Sequence, residues 1–166
     1  MNAAHWHLVV NHLPVVSVLF ATAFLLLGIV RKSSGMIKIG MVVSVIVGLT
    51  AGAAFLSGDE AHEMLEKWPG IDHKIIHEHE ESAETALIAS IVLGVIALAA
   101  LGFNEKKPAL KKITPIVALV AAILTSVLMA IAANKGGMIR HPEIRDGAVP
   151  PAGQGIIPGG DMDDDN

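Results

Sequence analysis

The segment Asp72–Glu84, DHKIIHEHEESAE, places three histidines and four glutamates in thirteen residues and runs directly into the apolar stretch TALIASIVLGVIALAALGF. Imidazole and carboxylate are the donors that iron, zinc, manganese and copper(II) favour. The chain has no cysteine, so Fe–S clusters, thiolate metal sites and CxxCH haem attachment are excluded. On a helix turning about 100° per residue, His73, His77, Glu80 and Glu84 fall within one stripe, and Glu78, His79 and Glu81 fall outside it and are expected to be solvated. That stripe continues into Ile91 and Val95. If these aliphatic residues pack inside, the ligand-grade residues extend the inward face, and His77→Ala lowers bound metal where His79→Ala does not.

The remaining histidines repeat the theme. His5, His7 and His12 precede or open the first apolar run, His62 follows the second, and His141 follows the fourth. In GDEAHEMLE, Asp59, Glu63 and Glu66 share a face beside His62 if a helix continues past Gly58. Taking Val30 and Phe103 as level, His12 stands at the height of Glu84, roughly 27 Å away at the helical rise, with His5, His77 and His62 about two turns higher. A carboxylate at the depth of Glu84 is costly unless it is protonated, paired (Arg140 is the nearest candidate) or bound to a cation. The expected metal ligands are therefore His12, His77, Glu80 and Glu84, with His62 or Glu63 opposite and His5, His73 and His141 in a second tier. Iron, copper and zinc all suit this donor set. A b-type haem held by His12 with His62 or His77 is the alternative, because small residues on the second run could admit the macrocycle.

Four apolar runs must position these groups: Leu8–Val30, Met36–Ser57, Thr85–Phe103 and Ile113–Ala133. Each approaches the roughly 20 residues that cross about 30 Å of hydrocarbon. The chain has 166 residues, is 52% hydrophobic and has a mean hydropathy of +0.58, too apolar for a soluble domain of that size. The expected fold is all-α, an integral membrane up-down four-helix bundle occupying residues 1–146, with spans at about 8–30, 36–57, 85–103 and 113–133. The third span gains a helical extension from about residue 73. Residues 147–166, rich in Gly and Pro and acidic at the end, form a flexible tail. Pro14 and Pro115 fall in the first turns of their spans, and Gly136 and Gly137 end the fourth.

Charge sets the expected orientation. Arg31, Lys32, Lys38, Lys106, Lys107, Lys111 and Lys112 collect in the two short loops, against one acid, Glu105. Positive loops stay in the cytoplasm, so both termini and every histidine belong outside it, on the periplasmic side of a bacterial inner membrane. No ionised side chain interrupts the middle of the runs, which argues against a transporter or proton pump. No nucleophile triad, phosphate loop or nucleic-acid patch is present.

The opening HWHLVVNHLPVV, with Asn11-His12-Leu13-Pro14, resembles the start of uncharacterised four-span bacterial inner-membrane proteins that carry a similar His-aromatic-x-His and His-x-Pro pattern. The resemblance is mainly to span one. It implies company with cytochrome or Rieske-type electron carriers and a redox role for His12. The sequence thus leads to a metal-binding membrane protein serving electron transfer, partnered by the lipid bilayer and by other membrane or periplasmic redox proteins. A homo-oligomer is compatible with this, and a non-catalytic accessory subunit of a larger complex is the reading from another class. Whether the chain is itself an enzyme is left open.

Overall fold

The computed structural model describes residues 3–65, 73–103, 108–141 and 144–145. They form five helices: α1 (Ala3–Val10), α2 (His12–Val30), α3 (Ser34–Leu65), α4 (His73–Phe103) and α5 (Pro108–Arg140). Helices α2 to α5 pack in a ring, each against its chain neighbours, with α5 closing back on α2. The diagonal pair α3 and α5 barely meets. The short α1 lies against α3. Four helical segments are long and apolar enough to cross a membrane, the first combining α1 and α2. Tail residues 147–166 lie outside the described residues.

The break between α1 and α2 has a local cause. Pro14 has no N–H for the Val10 carbonyl, and its ring crowds the preceding turn. Asn11 sits at the junction with helical dihedrals, and its amide still reaches the His7 carbonyl at 2.9 Å. At the other end of α2 the chain turns within three residues. Lys32 takes a left-handed conformation (φ 52°), and the Ser33 amide bonds back to the Gly28 carbonyl at 2.9 Å. That six-to-one closure satisfies an end carbonyl and sends α3 back antiparallel to α2.

The interior is built from small residues at alternating steps of four and three. On α2 the buried set is Pro14, Val18, Ala21, Leu25 and Gly28. On α4 it is Ala86, Ser90, Leu93, Ala97 and Ala100, and on α5 it is Ala118, Ala122, Thr125, Met129 and Ala132. A repeat near 3.5 residues gives the shallow left-handed crossing usual in bundles. Buried Ser44, Ser90 and Thr125 return their hydroxyl hydrogens to carbonyls four residues earlier, so none adds an unsatisfied donor. Helices α3 and α4 approach closely at Gly48 and Gly94, where a Cβ on Gly48 would stand 3.2 Å from the Ser90 carbonyl oxygen.

Large aliphatic side chains take the opposite face. Ile88, Ile91, Val92, Val95 and Leu98 on α4 are all exposed, as are Leu19, Phe20, Leu26 and Leu27 on α2. The expectation that Ile91 and Val95 pack inside is therefore wrong. Lipid solvates large apolar groups as well as a protein core does, so helix contacts are left to residues that let backbones approach.

The helices also outrun the apolar segments. Helix α3 has 32 residues, about 48 Å at the helical rise, against about 30 Å of hydrocarbon. It does continue past Gly58, to Leu65. Helix α5 begins at Pro108, so Pro115 lies inside it and not in its first turn, and it runs through Gly136 and Gly137 to Arg140. The surplus turns at one end carry the histidines.

Candidate functional site

Two kinds of histidine occupy that end. The first kind is held by backbone carbonyls. His79 on α4 donates its Nδ1–H to the Ala132 carbonyl of α5 at 2.9 Å. His7 on α1 donates its Nδ1–H to the Ala54 carbonyl of α3 at 3.1 Å, and Ser57 Oγ lies 3.1 Å from the same nitrogen. The Ser57 hydroxyl itself donates to Ala54 at 2.8 Å. A carbonyl only accepts, so both rings carry their hydrogen on Nδ1, and in the neutral form Nε2 keeps the lone pair.

Both rings are half-buried, and each lies against a glycine. A Cβ on Gly136 would stand 2.9 Å from His79 Cε1, and one on Gly58 would stand 3.4 Å from His7 Cε1. Gly136 is thus a seat for an imidazole inside α5, not the end of the helix. One turn along from His7, Asn11 Oδ1 is buried without a hydrogen-bond partner among the described residues, an expensive arrangement for an amide oxygen.

The second kind is paired with carboxylates near the surface. His62 Nδ1 on α3 bonds Glu80 Oε1 on α4, joining the two helices. His77 lies 3.9 Å from the other Glu80 oxygen and 3.4 Å from Glu81 Oε1, with its side chain 71% exposed. Lys135 on α5 donates to the Glu78 carbonyl of α4 at 3.3 Å. Together with His7 and His79, these bonds tie α1 to α3, α3 to α4 and α4 to α5 across the top of the bundle.

The expected ligand set is only partly assembled. His62 and Glu80 meet, and His77 borders them. His12 is exposed and donates Nδ1–H to the Leu8 carbonyl of its own span at 2.7 Å. Glu84, Glu63, His73, His5 and His141 are all exposed. The inward stripe of His73, His77 and Glu84 fails for the same reason as Ile91 and Val95: it was aligned on bulky aliphatics that face outward. The true inward line of α4 passes through Ile76, His79, Ala86 and Leu93. The side chains of Glu66 and Arg140 lie outside the described residues. Among the described residues no group of three or more His, Asp and Glu side chains converges as metal ligands.

His7 and His79 were not among the expected ligands, and His79, expected to be solvated, is instead half-buried against α5, yet a sequence signal for them exists. His7, Pro14, Ala21 and Gly28 stand seven residues apart, as do His79, Ala86, Leu93 and Ala100. Each histidine begins a heptad series whose other members are buried. No family model matches this chain, and neither a curated protein nor a solved structure does.

Proposed function

We propose that this chain is an integral membrane protein that holds a redox metal centre at its histidine-rich end, with His7 and His79 as the protein ligands. One observation carries the reading: two half-buried imidazoles from different helices each have Nδ1–H fixed by a carbonyl and Nε2 left as a donor atom. Ligating imidazoles are usually oriented in this way, the outer hydrogen bond setting tautomer and ring angle. The orphaned Asn11 oxygen beside His7 adds a polar group that a ligand or its water could satisfy. A b-type haem suits a two-imidazole site because the macrocycle supplies the other four donors. Its role would be to pass single electrons, with the bundle fixing its height in the bilayer.

The lysine-rich turns favour an orientation with this end outside the cytoplasm, in a bacterial inner membrane. The chain has no cysteine, so single Ser33→Cys and Glu63→Cys variants would report it. Only Glu63→Cys should react with an impermeant maleimide in intact cells.

An accessory-subunit reading has its own support. The interhelical bonds of His7, His62, His79 and Lys135 form a continuous brace, which a purely structural cap also needs. Absorption spectroscopy and metal analysis of purified protein separate the two. The redox reading requires a Soret band or stoichiometric metal that His7→Ala and His79→Ala both remove. A well-folded, colourless and metal-free protein would leave only the brace.

A further inference from the structure

A groove of about 260 Å³ opens on the surface between α4 and α5, lined by Glu81, Ser82, Thr85, Leu128, Ile131 and Lys135. Its chemistry is divided by height. Leu128 and Ile131 form the lower wall, and below them the exposed side chains of Ile88, Val92, Val120 and Leu124 continue towards the middle of the bundle. At the upper rim stand one cation and a set of acceptors. Lys135 bonds a carbonyl and not a carboxylate, so its charge is not neutralised by that contact. Ser82 gives its hydroxyl hydrogen to the carbonyls of Glu78 and His79, and Thr85 gives its own to Glu81, which leaves both oxygens as acceptors. Glu81 meets His77 through one oxygen, at 3.4 Å.

We propose that this groove binds a phospholipid whose headgroup carries a primary amine, as in phosphatidylethanolamine. Lys135 takes the phosphate as a charge-assisted hydrogen bond. The ammonium donates to Glu81 and to the Ser82 and Thr85 oxygens, and one acyl chain follows Ile131, Ile88 and Leu124 downward. A quaternary ammonium has no N–H to give to those acceptors, and a glycerol headgroup brings no positive charge to Glu81. The site therefore ranks phosphatidylethanolamine above both phosphatidylcholine and phosphatidylglycerol with the same chains.

Native mass spectrometry of the full chain in mild detergent, titrated with each of the three lipids, tests the assignment. Phosphatidylethanolamine should bind about tenfold more tightly than phosphatidylcholine, the factor expected for one charge-assisted bond. Lys135→Gln should weaken all three lipids alike, because all three carry the phosphate. Glu81→Gln should remove only the preference for the primary amine. Lys38→Gln, at the opposite end of the bundle, should change neither the binding of the three lipids nor their ranking. Equal binding of the three lipids, or equal effects of Lys38→Gln and Lys135→Gln, would overturn the site and leave an unspecific lipid shell.

Discussion

His79 and His77 are two residues apart on one helix and live in different chemistries. His79 is half-buried, fixed by a carbonyl of the next helix and seated on Gly136. His77 is 71% exposed and bordered by Glu80 and Glu81 of its own helix. His7 and His12 on the first span differ in another way: both bond a backbone carbonyl, but His7 is half-buried and reaches across to α3, whereas His12 is exposed and turns back on its own span. A backbone carbonyl belongs to a rigid helix, so it positions a ring. A surface carboxylate on a flexible stem only accompanies one. Density of ligand-type residues therefore says little about where a site lies, and the fixed ring in each pair is the one with a position worth using.

Substitutions can break this contrast. The largest effect is expected for His79→Ala, which removes an interhelical bond and leaves a hole in the α4–α5 seam. A loss of about 2–3 kcal/mol in unfolding from detergent is expected. Gly136→Ala comes next, at about 1–3 kcal/mol, since its Cβ must displace the imidazole. It should also disturb any metal spectrum although no histidine has been removed, a result that a purely local effect of His79 would not give. Glu80→Gln weakens a contact whose two side chains are 30% and 39% exposed, and solvent screening keeps the loss under about 1 kcal/mol. His77→Ala should be the smallest, within about 0.5 kcal/mol, with the spectrum unchanged. If His77→Ala and His79→Ala have equal effects on both measurements, the distinction between fixed and accompanying histidines is lost.

The four apolar helices were legible because hydropathy reports length directly, and the hydrocarbon thickness gives that length a meaning. The face of each helix was harder to read. In water a stripe of Ile and Val marks the inside, and carrying that rule to α4 turned Ile91, Val95, His77 and Glu84 inward when they face outward. The correct marker was the run of small residues, Ala86, Ser90, Ala97 and Ala100, whose heptad leads back to His79. The contact between His62 and Glu80 was within reach of height counting, because antiparallel neighbours place those positions level. The carbonyl bonds of His7 and His79 were not, because nothing in a sequence says which helix carbonyl keeps a free lone pair facing a neighbour.

The near-contact of Gly48 with Gly94, and the alanines that fill the remaining seams, have a consequence for how this chain tolerates change. In most proteins the interior is sensitive to loss, because large side chains leave holes when they are cut back. Here ten of the seventeen buried apolar residues described are alanine, and they have almost nothing to lose. Sensitivity runs the other way: a single added methyl at Gly48 meets the backbone of α4, which cannot step aside as a side chain could. The lipid-facing aliphatics can exchange for one another at little cost, while the small residues between the helices can hardly grow at all.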